Sequence, residues 1–587
     1  MHRAHSGRRH WLTRAVPLTC LVVLAVMLTA STTQAGPKAA APAGPVFGEA
    51  VAFDVSPPLS TLAQQAQGGK SAPPPSGFDA DRDVSVVPDS ANVRASGSRL
   101  ATAVSPESAA AAQATPAMPA TSANFEGLSN QDNFNVFGFR VNPPDPDGDV
   151  GPNHYVEIIN LVFGVYKKDG TLLLGPVDIG TLWSGFAIND CTDPSGDPIV
   201  LHDQTADRWI LSQFTTAGPT YYNCVAVSQT SDPTGAYYRY AFSSGLNFPD
   251  YPKYGIYGDS YILTTREFGP TGEYGIGVYG LERQQMIKGN PKARSVAFFI
   301  DGNDPSLLPL VGDGLLPPDM DGAGKPANPV APIVGTQDDN AFYGATSDAI
   351  NIWELIVTWT KGTPTASLTF AAQLPVDTFD SIFPCAPTSR DCLPQPGITN
   401  PAQYLDILSY RQRPTWRLAY RKFSGYESLV TNQSVEASPG VAGARWYEIR
   451  RVGNAYSIHQ QGTVAPGDGV HRWMGSIAMD HRGNAALGYS VVNGTDVYPG
   501  IRYTGRLTTD PLGTMPQGEG VVVNGSGVQR TTNSRWGDYT SMNVDPSDDC
   551  TFWYVNEYYT AAGEASSVAG WQTRIASFKF PNCRPQG

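Results

Sequence analysis

Apolar and polar positions along the chain follow one recurring plan, in which a short apolar run meets a polar turn rich in Asp, Gly or Asn and returns as a second apolar run. Four stretches share it, at residues 197–214, 250–265, 473–490 and 538–554. Two continue to a third run that ends in Asp-Pro-x-Gly, at Gly235 and Gly513. Such runs predict short strands, and a repeated strand–turn–strand–strand unit predicts the blades of a β-propeller.

The pattern extends over most of the chain, and the predicted fold class is all-β, a propeller of seven blades. Three units fit the repeat less closely than the four stretches above, so six blades is the alternative. Helical periodicity is nearly absent, and its best candidate is the short run 281–287. The seven units centre on residues 149–168, 197–235, 250–287, 332–361, 408–464, 473–513 and 538–580.

The beginning of the chain predicts export. Four arginines precede an apolar stretch at 16–30, and small residues precede Gly36, which is the pattern of a cleaved signal peptide. The pair Arg8 and Arg9 resembles a twin-arginine signal, so either that route or the general secretory route is open.

Three segments with different roles follow from composition. Residues 1–35 are the predicted signal peptide, and residues 125–587 are the predicted propeller. Between them, residues 36–124 are rich in Ala, Pro and Ser and poor in large apolar side chains, which predicts a flexible linker or pro-segment. Within it, a weak strand near 51–55 is a candidate to pack on the propeller.

Charge narrows the choice of partners. The net charge is −13 over 587 residues. Nucleic acid is not expected as a partner, because phosphate binding requires a basic surface, and docking on anionic lipid is disfavoured for the same reason. No segment after the signal is apolar for long enough to span a bilayer. We therefore expect a secreted, extracellular monomer whose partner is a glycan or a cell-surface protein.

Six cysteines remain after the signal peptide, and an even number in an exported chain indicates disulfide bonds. Pairing each cysteine with its neighbour in sequence is the most economical scheme. No pair has Cys-x-x-Cys spacing, so zinc binding and redox chemistry are not expected. The predicted bonds are Cys191–Cys224, Cys385–Cys392 and Cys550–Cys583.

Superposing the repeats places four residues at one equivalent position, where the first strand of each blade begins at the mouth of the central channel. They are Asp197, Asp250, Trp473 and Asp538. The three aspartates are the candidate catalytic residues. The candidate substrate-binding residues around them are Tyr251, His471, Arg472, Trp473, Arg535 and Tyr539.

This mixture suits sugar chemistry, because two carboxyl groups can serve as general acid and as nucleophile or base. Aromatic rings offer flat faces to a sugar, and arginine can bind a carboxylate substituent. The alternative is structural: each Asp caps a turn or accepts main-chain N–H groups, and the arginines pair between blades. Glu557, in an aromatic strand, is a further possible acid or a hydrogen-bonded blade residue.

One structural calcium ion is the only bound group that the sequence suggests. Asp145, Asp147 and Asp149 are closely spaced carboxylates, which are hard oxygen ligands, although Pro146 interrupts the spacing and no distal Glu follows. No cofactor is expected to be required, since the motifs of zinc proteases, serine hydrolases, phosphate loops and dinucleotide-binding domains are absent from the sequence.

Two segments suggest a family. Ser231-Asp-Pro-Thr-Gly-Ala-Tyr237 resembles the Asp-box turn of sialidase-type propellers, with one extra residue between Asp and Gly and with Tyr in place of Trp. The segment from Val150 to Gly170 resembles a blade of secreted bacterial propeller proteins of unassigned function. The resemblance covers residues 125–583 at the level of fold. It implies a glycosidase-like site at the axis, but the Arg-Ile-Pro motif of sialidases is missing.

Three functions follow as hypotheses. The first is a carbohydrate-active enzyme, a glycoside hydrolase or polysaccharide lyase, which requires two carboxyl groups within about 5–10 Å in one pocket. The second is a propeller that binds glycan or protein without catalysis, which requires aromatic platforms without a paired acid. The third is a structural extracellular protein, which requires a channel filled by apolar side chains.

Overall fold

The structure is a computed structural model, and it describes residues 41–66, 85–87, 117–322, 324–382, 391–407 and 412–585. The predicted signal peptide lies outside these residues. The elements before the first blade are strands β1 (Ala43–Glu49), β2 (Ala52–Val55), β3 (Ser85–Val87), β4 (Ala123–Ser129) and β5 (Arg140–Asn142), and helices α1 (Leu59–Ala66) and α2 (Asn130–Phe137).

The rest of the chain forms a seven-bladed β-propeller, as the sequence predicted. Blade 1 contains β6 (Asp147–Val150), β7 (His154–Ile158), β8 (Val162–Lys167) and β9 (Leu172–Asp178). Blade 2 contains β10 (Ile199–Asp203), β11 (Arg208–Phe214), β12 (Tyr221–Ser228) and β13 (Tyr237–Gly245). Blade 3 contains β14 (Phe248–Tyr257), β15 (Ser260–Phe268), β16 (Tyr274–Glu282) and β17 (Arg294–Asp301), with helix α3 (Arg283–Ile287) between its last two strands.

Blade 4 has an irregular first strand. It contains β18 (Pro318–Met320), β19 (Ala331–Gln337), β20 (Ala349–Thr358) and β21 (Thr365–Pro375), and helix α4 (Leu308–Val311) precedes it. The segment leading into β18 joins β19 through an antiparallel bridge between Leu316 and Val334. Two short strands, β22 (Asp391–Leu393) and β23 (Leu405–Asp406), pair in the connection to blade 5.

Blades 5 to 7 complete the ring. Blade 5 contains β24 (Thr415–Phe423), β25 (Tyr426–Ser438), β26 (Val441–Val452) and β27 (Ala455–Val464), and β18 pairs in parallel with β24. Blade 6 contains β28 (His471–Met479), β29 (Ala485–Val492), β30 (Gly500–Arg506) and β31 (Glu519–Val523). Blade 7 contains β32 (Ser541–Val544), β33 (Phe552–Tyr559) and β34 (Trp571–Phe578), with helix α5 (Ala561–Ser566) before β34. Short 3-10 helices span Ile179–Trp183, Asn189–Thr192 and Pro401–Gln403.

Strands from the N-terminal part of the chain complete three blades. β4 is the outermost strand of blade 7, beside β34, so the two ends of the propeller meet in one sheet. β1 adds an outer strand to blade 3 and β2 adds one to blade 2. The weak strand expected near 51–55 is therefore formed, as β2. Ordered elements thus occur inside the segment predicted as linker, while the proposed domain boundaries stay a prediction.

The hydrophobic cores lie between blades rather than at one centre. One cluster of buried side chains joins blades 5, 6 and 7 and includes Trp446, Tyr489 and Tyr554. Another joins blades 1 and 2 and includes Trp183 and Trp209. Because both faces of each sheet are covered by neighbouring blades, the strands carry apolar side chains on both faces.

Two predicted disulfide bonds are confirmed. Cys191–Cys224 joins the segment before blade 2 to the third strand of that blade. Cys550–Cys583 joins the turn between β32 and β33 of blade 7 to the residues that follow β34. Cys392 is also disulfide-bonded, but Cys385 lies outside the described residues, so the third pairing stays a prediction. Among the described helices, none has the length and hydropathy that a membrane crossing requires.

Glu157 holds the ring closed where blade 1 meets blade 7. Its carboxyl group accepts the main-chain N–H of Leu128 in β4 at 2.8 Å and the hydroxyl of Thr573 in β34. Burial raises the pKa of Glu157 to about 7, against the hydrogen bonds from Thr573 and Leu128 that lower it. The folded protein therefore binds a proton here more tightly than the unfolded chain does.

We expect this site to make stability fall as pH rises. Because the pKa of Glu157 is higher in the folded state, its stabilising contribution is complete below pH 4.5, the ordinary pKa, and is lost as pH rises through about 7. Glu157→Gln, which cannot ionise, should flatten that part of the stability profile between pH 5 and pH 8, as measured by urea denaturation. An unchanged profile in Glu157→Gln would contradict the assignment.

The two confirmed disulfides offer a matched pair for a second test. Each joins cysteines separated by 33 residues. If they stabilise mainly by restricting the unfolded chain, a double Cys→Ala replacement of either pair should lower the free energy of unfolding by about 3–4 kcal/mol. The losses should be equal within error in denaturant titrations. A large difference between the two would point to native-state effects instead.

Candidate functional site

Carboxylate and hydroxyl groups near the axis bind main-chain N–H groups of the neighbouring blade. Asp147 and Asp149 in β6 accept the N–H groups of Val200 and His202 in β10, at 2.8 and 2.7 Å. Asp319 in β18 accepts the N–H of Ile256 in β14 at 3.2 Å. These hydrogen bonds give partners to main-chain N–H groups on the axis-facing edges of the first strands. Without them, those N–H groups would be buried without partners.

The channel mouth at the start of these strands contains strained backbone. Five residues other than glycine have φ between 40° and 53° there, a left-handed conformation that costs about 1–2 kcal/mol. In blade 2 the left-handed residue is Asp197, but in blades 3 and 6 it is Tyr251 and Met474, one residue after those aligned with Asp197 from the sequence. The five are Asp145, Asp197, Tyr251, Gln412 and Met474.

Polar side chains converge at this mouth from blades 1, 2, 3 and 7 and from the connections on either side of blade 4. We call this group the axial cluster. Most of its members are almost fully buried, including Asp197 at 0% and Asp538 at 1% exposed. The members are Asp145, Asp197, Asp250, Tyr251, Lys253, Arg266, Asp313, Asp406, Gln412, Arg413, Arg535, Asp538, Tyr539 and Glu557.

Opposite charges alternate along the cluster, beginning in blade 3. Arg266 lies 3.4 Å from Asp250 and 3.0 Å from Asp313, measured between nitrogen and carboxylate oxygen. Asp313 in turn lies 3.7 Å from Arg413, which approaches from the connection before blade 5. The guanidinium carbon of Arg413 also lies 3.7 Å from the centre of the Tyr251 ring, within cation–π range.

The same alternation continues to blade 7. Asp538 lies between Arg413 at 3.5 Å and Arg535 at 3.0 Å, and Arg535 reaches Asp406 at 3.4 Å. The two guanidinium groups lie where they can compensate the charge of the buried Asp538 carboxylate. The main-chain N–H of Asp538 donates to Asp145 at 2.7 Å, which ties the cluster to blade 1.

Lys253 lies between two tyrosine rings at the centre of the cluster. Its ammonium nitrogen is 3.0 Å from the centre of the Tyr251 ring and 3.5 Å from that of Tyr539. The Tyr539 hydroxyl lies 3.2 Å from a carboxylate oxygen of Asp197. Burial, with the nearby charge of Arg413, holds the pKa of Lys253 well below its usual range, although Asp197 opposes this effect.

Glu557 is another buried carboxyl group of the cluster, and its surroundings differ from those of Asp538. It is 1% exposed, and one oxygen accepts the N–H of Gly537 at 2.5 Å. Burial raises the pKa of Glu557 well above its usual range, and the negative charge of Asp538 raises it further. Within the described part of the chain, the other oxygen of Glu557 has no hydrogen-bond partner, and neither do the Tyr251 hydroxyl and the Gln412 amide.

The structure therefore brings together seven of the residues singled out from the sequence: Asp197, Asp250, Tyr251, Arg535, Asp538, Tyr539 and Glu557. Asp145, the first predicted metal ligand, joins the same cluster. Sequence reasoning left out Arg266, in a second strand, and four residues that lie outside the repeat in the connections flanking blade 4 and just before blade 5: Asp313, Asp406, Gln412 and Arg413. The only available signal was that long connections often carry function.

His471, Arg472 and Trp473 lie at the start of blade 6 and contact other partners. The imidazole of His471 accepts the N–H of Ala442 at 3.2 Å, and burial lowers its pKa to about 4, so it is neutral. Arg472 forms ion pairs with Asp468 and Glu519 of its own blade. The Trp473 ring packs against that of Trp536 at 5.1 Å.

The three predicted calcium ligands lie at successive alternate positions and serve different blades. Asp145 accepts from blade 7, while Asp147 and Asp149 accept from blade 2. Burial raises the pKa of Asp147 to about 6, which weakens it as a metal ligand. Where the structure describes the chain, the acidic group with ligand atoms within 4.8 Å of one another is Asp338, Asp339 and Asp348. Calcium binding at Asp145–Asp149 stays a prediction.

Comparisons with known proteins leave the family open. No protein-family model matches the chain, and no curated protein matches it. An α-L-arabinanase from Penicillium chrysogenum has 9% identity and a TM-score of 0.31, covering 75% of this chain and 94% of its own. The Hadza microbial sialidase Hz136 has 11% identity and a TM-score of 0.30, covering 75% of each chain. An α-L-arabinofuranosidase from Fusarium graminearum has 9% identity and a TM-score of 0.28, covering 57% and 94%. These similarities are too low to transfer an activity.

The alternating ion pairs of the axial cluster should contribute to the free energy of unfolding. Arg413→Met leaves Asp538 and Asp313 buried with less compensation, so it should lower the free energy of unfolding by about 3–5 kcal/mol. Combining it with Asp538→Asn should cost less than the sum of the single changes, by at least about 1 kcal/mol in denaturant titrations.

The matched control is the pair of Lys579 and Asp548, which is 3.2 Å apart with the Lys579 side chain 40% exposed. Lys579→Met and Asp548→Asn should be additive to within about 0.5 kcal/mol. Equal coupling at both pairs would contradict the special dependence of the axial cluster on charge pairing.

Proposed function

We propose that this protein is a secreted, carbohydrate-active propeller whose active site is the axial cluster, acting as a glycoside hydrolase or polysaccharide lyase. The observation that carries the proposal is the pair of Asp538 and Glu557. Asp538 lies 3.0 and 3.5 Å from two guanidinium groups, whereas burial raises the pKa of Glu557, and two carboxyl groups in such different surroundings are what acid–base chemistry on sugars requires. The two confirmed disulfides support export to an oxidising compartment.

Each carboxyl group takes the role that its surroundings favour. Glu557 holds its proton more tightly than an exposed glutamate does, because burial raises its pKa, and it serves as general acid toward the leaving oxygen. Asp538 lies between Arg413 and Arg535 and serves as nucleophile or base. Asp197, which accepts a hydrogen bond from the Tyr539 hydroxyl, is a further carboxylate near Lys253.

Recognition of the sugar follows from the remaining groups. The rings of Tyr251 and Tyr539 provide flat surfaces, and the unpartnered Tyr251 hydroxyl and Gln412 amide offer hydrogen bonds to sugar hydroxyl groups. Buried polar groups without partners and strained backbone both concentrate at functional sites. They coincide here at Tyr251 and Gln412.

A second candidate function is favoured by the burial of the cluster. Lys253, Arg413 and Asp538 are each 1% exposed, so a substrate must displace the side chains that fill the channel mouth. In the alternative, the cluster joins the blades without catalysis, and the protein is a glycan-binding, protein-binding or structural propeller. The charged and aromatic groups at the mouth differ from the apolar filling that a purely structural channel requires.

The test is a screen of polysaccharide cleavage and glycan-array binding with the full-length protein. Wild type, Asp538→Asn and Glu557→Gln are compared. We expect wild type to cleave a glycan and each variant to lose at least about 100-fold in rate, because one loses the base and the other the acid.

Asp203→Asn is the control, since Asp203 is also fully buried and paired with an arginine, Arg283 at 2.6 Å, but lies at the far end of its strand. It should keep its activity. Binding without cleavage would favour the non-catalytic alternative, and silence in both assays, or equal loss in Asp203→Asn, would contradict the assignment of the site.

A further inference from the structure

A cavity lies at the end of the first strands opposite the axial cluster, where these strands turn into the second strands. Its volume is about 620 Å³, within the range of small-ligand sites. Turns of blades 2, 4, 5, 6 and 7 line it, and examples are Gln204, Lys325, Phe423, His481 and Pro546. The axial cluster lies at the opposite ends of the same strands, so the cavity is separate from the proposed active site.

Negative charges that line this cavity are already compensated by ion pairs. Asp549 pairs with Arg421 through both oxygens, at 2.7 and 2.9 Å. Asp321 binds the guanidinium group of Arg417 through both oxygens, at 2.7 and 3.1 Å.

Asp548, the third acidic residue of the lining, receives Lys579 at 3.2 Å and Thr551 at 2.7 Å. With all three carboxylates paired, little net negative charge remains at the cavity wall.

Positive charges of the same cavity are not compensated. Lys325 and Lys422 are exposed lining residues, and no carboxylate of the described residues lies within 4.0 Å of either ammonium group. The neighbour of Lys422 across the strand pair is Glu427, but that carboxylate pairs with Arg451 instead. A protein with a net charge of −13 therefore presents two unpaired positive charges at this mouth.

Flat and hydrogen-bonding groups lie beside the two lysines. The Phe423 ring lines the cavity, is partly exposed, and stacks on Tyr426 at 5.1 Å, which fixes its orientation. The Nδ1–H of His481 donates to the carbonyl oxygen of Asp549 at 2.9 Å, so in the neutral ring Nε2 is left as an acceptor for a hydroxyl group.

We propose that this cavity binds an acidic oligosaccharide, with Lys325 and Lys422 paired to its carboxylate groups and Phe423 against the face of one sugar ring. Two cationic side chains in one cavity suit a ligand with repeated acidic groups better than a single small anion. The proposal does not depend on catalysis in the axial cluster, because the two sites share no residue.

The test measures binding of tetragalacturonate to the full-length protein by calorimetry, with its methyl-esterified form as the uncharged match. We expect the acid form to bind and the ester to bind at least tenfold more weakly. Lys325→Met combined with Lys422→Met should weaken binding of the acid form by about tenfold or more. Raising the salt concentration should weaken it as well, because exposed charges are screened.

Three controls keep the result specific. Lys292→Met changes an exposed lysine in a different cavity and should bind like wild type. Asp538→Asn should also bind normally, so failure of the proposed catalysis and failure of this site are distinguishable. Phe423→Leu should weaken binding without unfolding the protein, since leucine keeps an apolar side chain against the hydrophobic cluster of blades 5 to 7.

The proposal is overturned if the acid form does not bind, if the ester binds equally, or if the double lysine variant binds like wild type. Inorganic phosphate that competes as strongly as tetragalacturonate would reduce the site to a general anion site and would also overturn it.

Discussion

The propeller depends on how it satisfies the axial edges of its seven first strands. Six of these strands pair with the second strand of their own blade, while β18 pairs with β24 of blade 5, and the remaining edges face a narrow channel between blades. Main-chain amides at that edge lie in the protein interior, where an unpaired N–H costs about 1–3 kcal/mol. Side chains from a neighbouring blade supply the acceptors, as Asp147 does for Val200 and Asp319 for Ile256.

Using carboxylates as acceptors creates a second requirement, because buried negative charges need compensation. In the middle of the channel Arg417 provides it, lying 2.8 Å from Asp319 and 2.7 Å from Asp321. At the start of the strands the alternating aspartates and arginines of the axial cluster provide it. The two ends of the axis differ as a result: one is filled by paired charges, and the other is an open cavity whose remaining charges are positive.

Closure of the ring is also a matter of pairing edges. β4 lies far from β34 in sequence but adjoins it in blade 7, so the first and last strands of the propeller share one sheet. β1 and β2 extend blades 3 and 2 in the same way. These additional strands enlarge the sheets of blades 2 and 3 and become their outer edges.

The repeat of apolar runs and polar turns determined the blade architecture. A strand whose side chains are apolar on both faces of the sheet can be buried only between neighbouring sheets. Pairing each cysteine with the next one along the sequence likewise indicated Cys191–Cys224 and Cys550–Cys583. The positions where the first strands begin indicated Asp197, Asp250 and Asp538 as candidate site residues. Helix α2 was not expected, because only its cap, Ser129 bonded to Asp132, marks it in the sequence.

Only the tertiary structure decided the environment of each charged group. Arg413 and Asp313 belong to connections without a repeat, so nothing in the sequence placed them beside Asp538. Trp473 aligns with Asp197, yet neither it nor its neighbour Arg472 joins the same cluster, since their side chains pair and pack within blade 6 and toward Trp536. A repeat fixes the order of strands through local patterning, whereas charge pairing and pKa depend on distances between blades that no local pattern encodes.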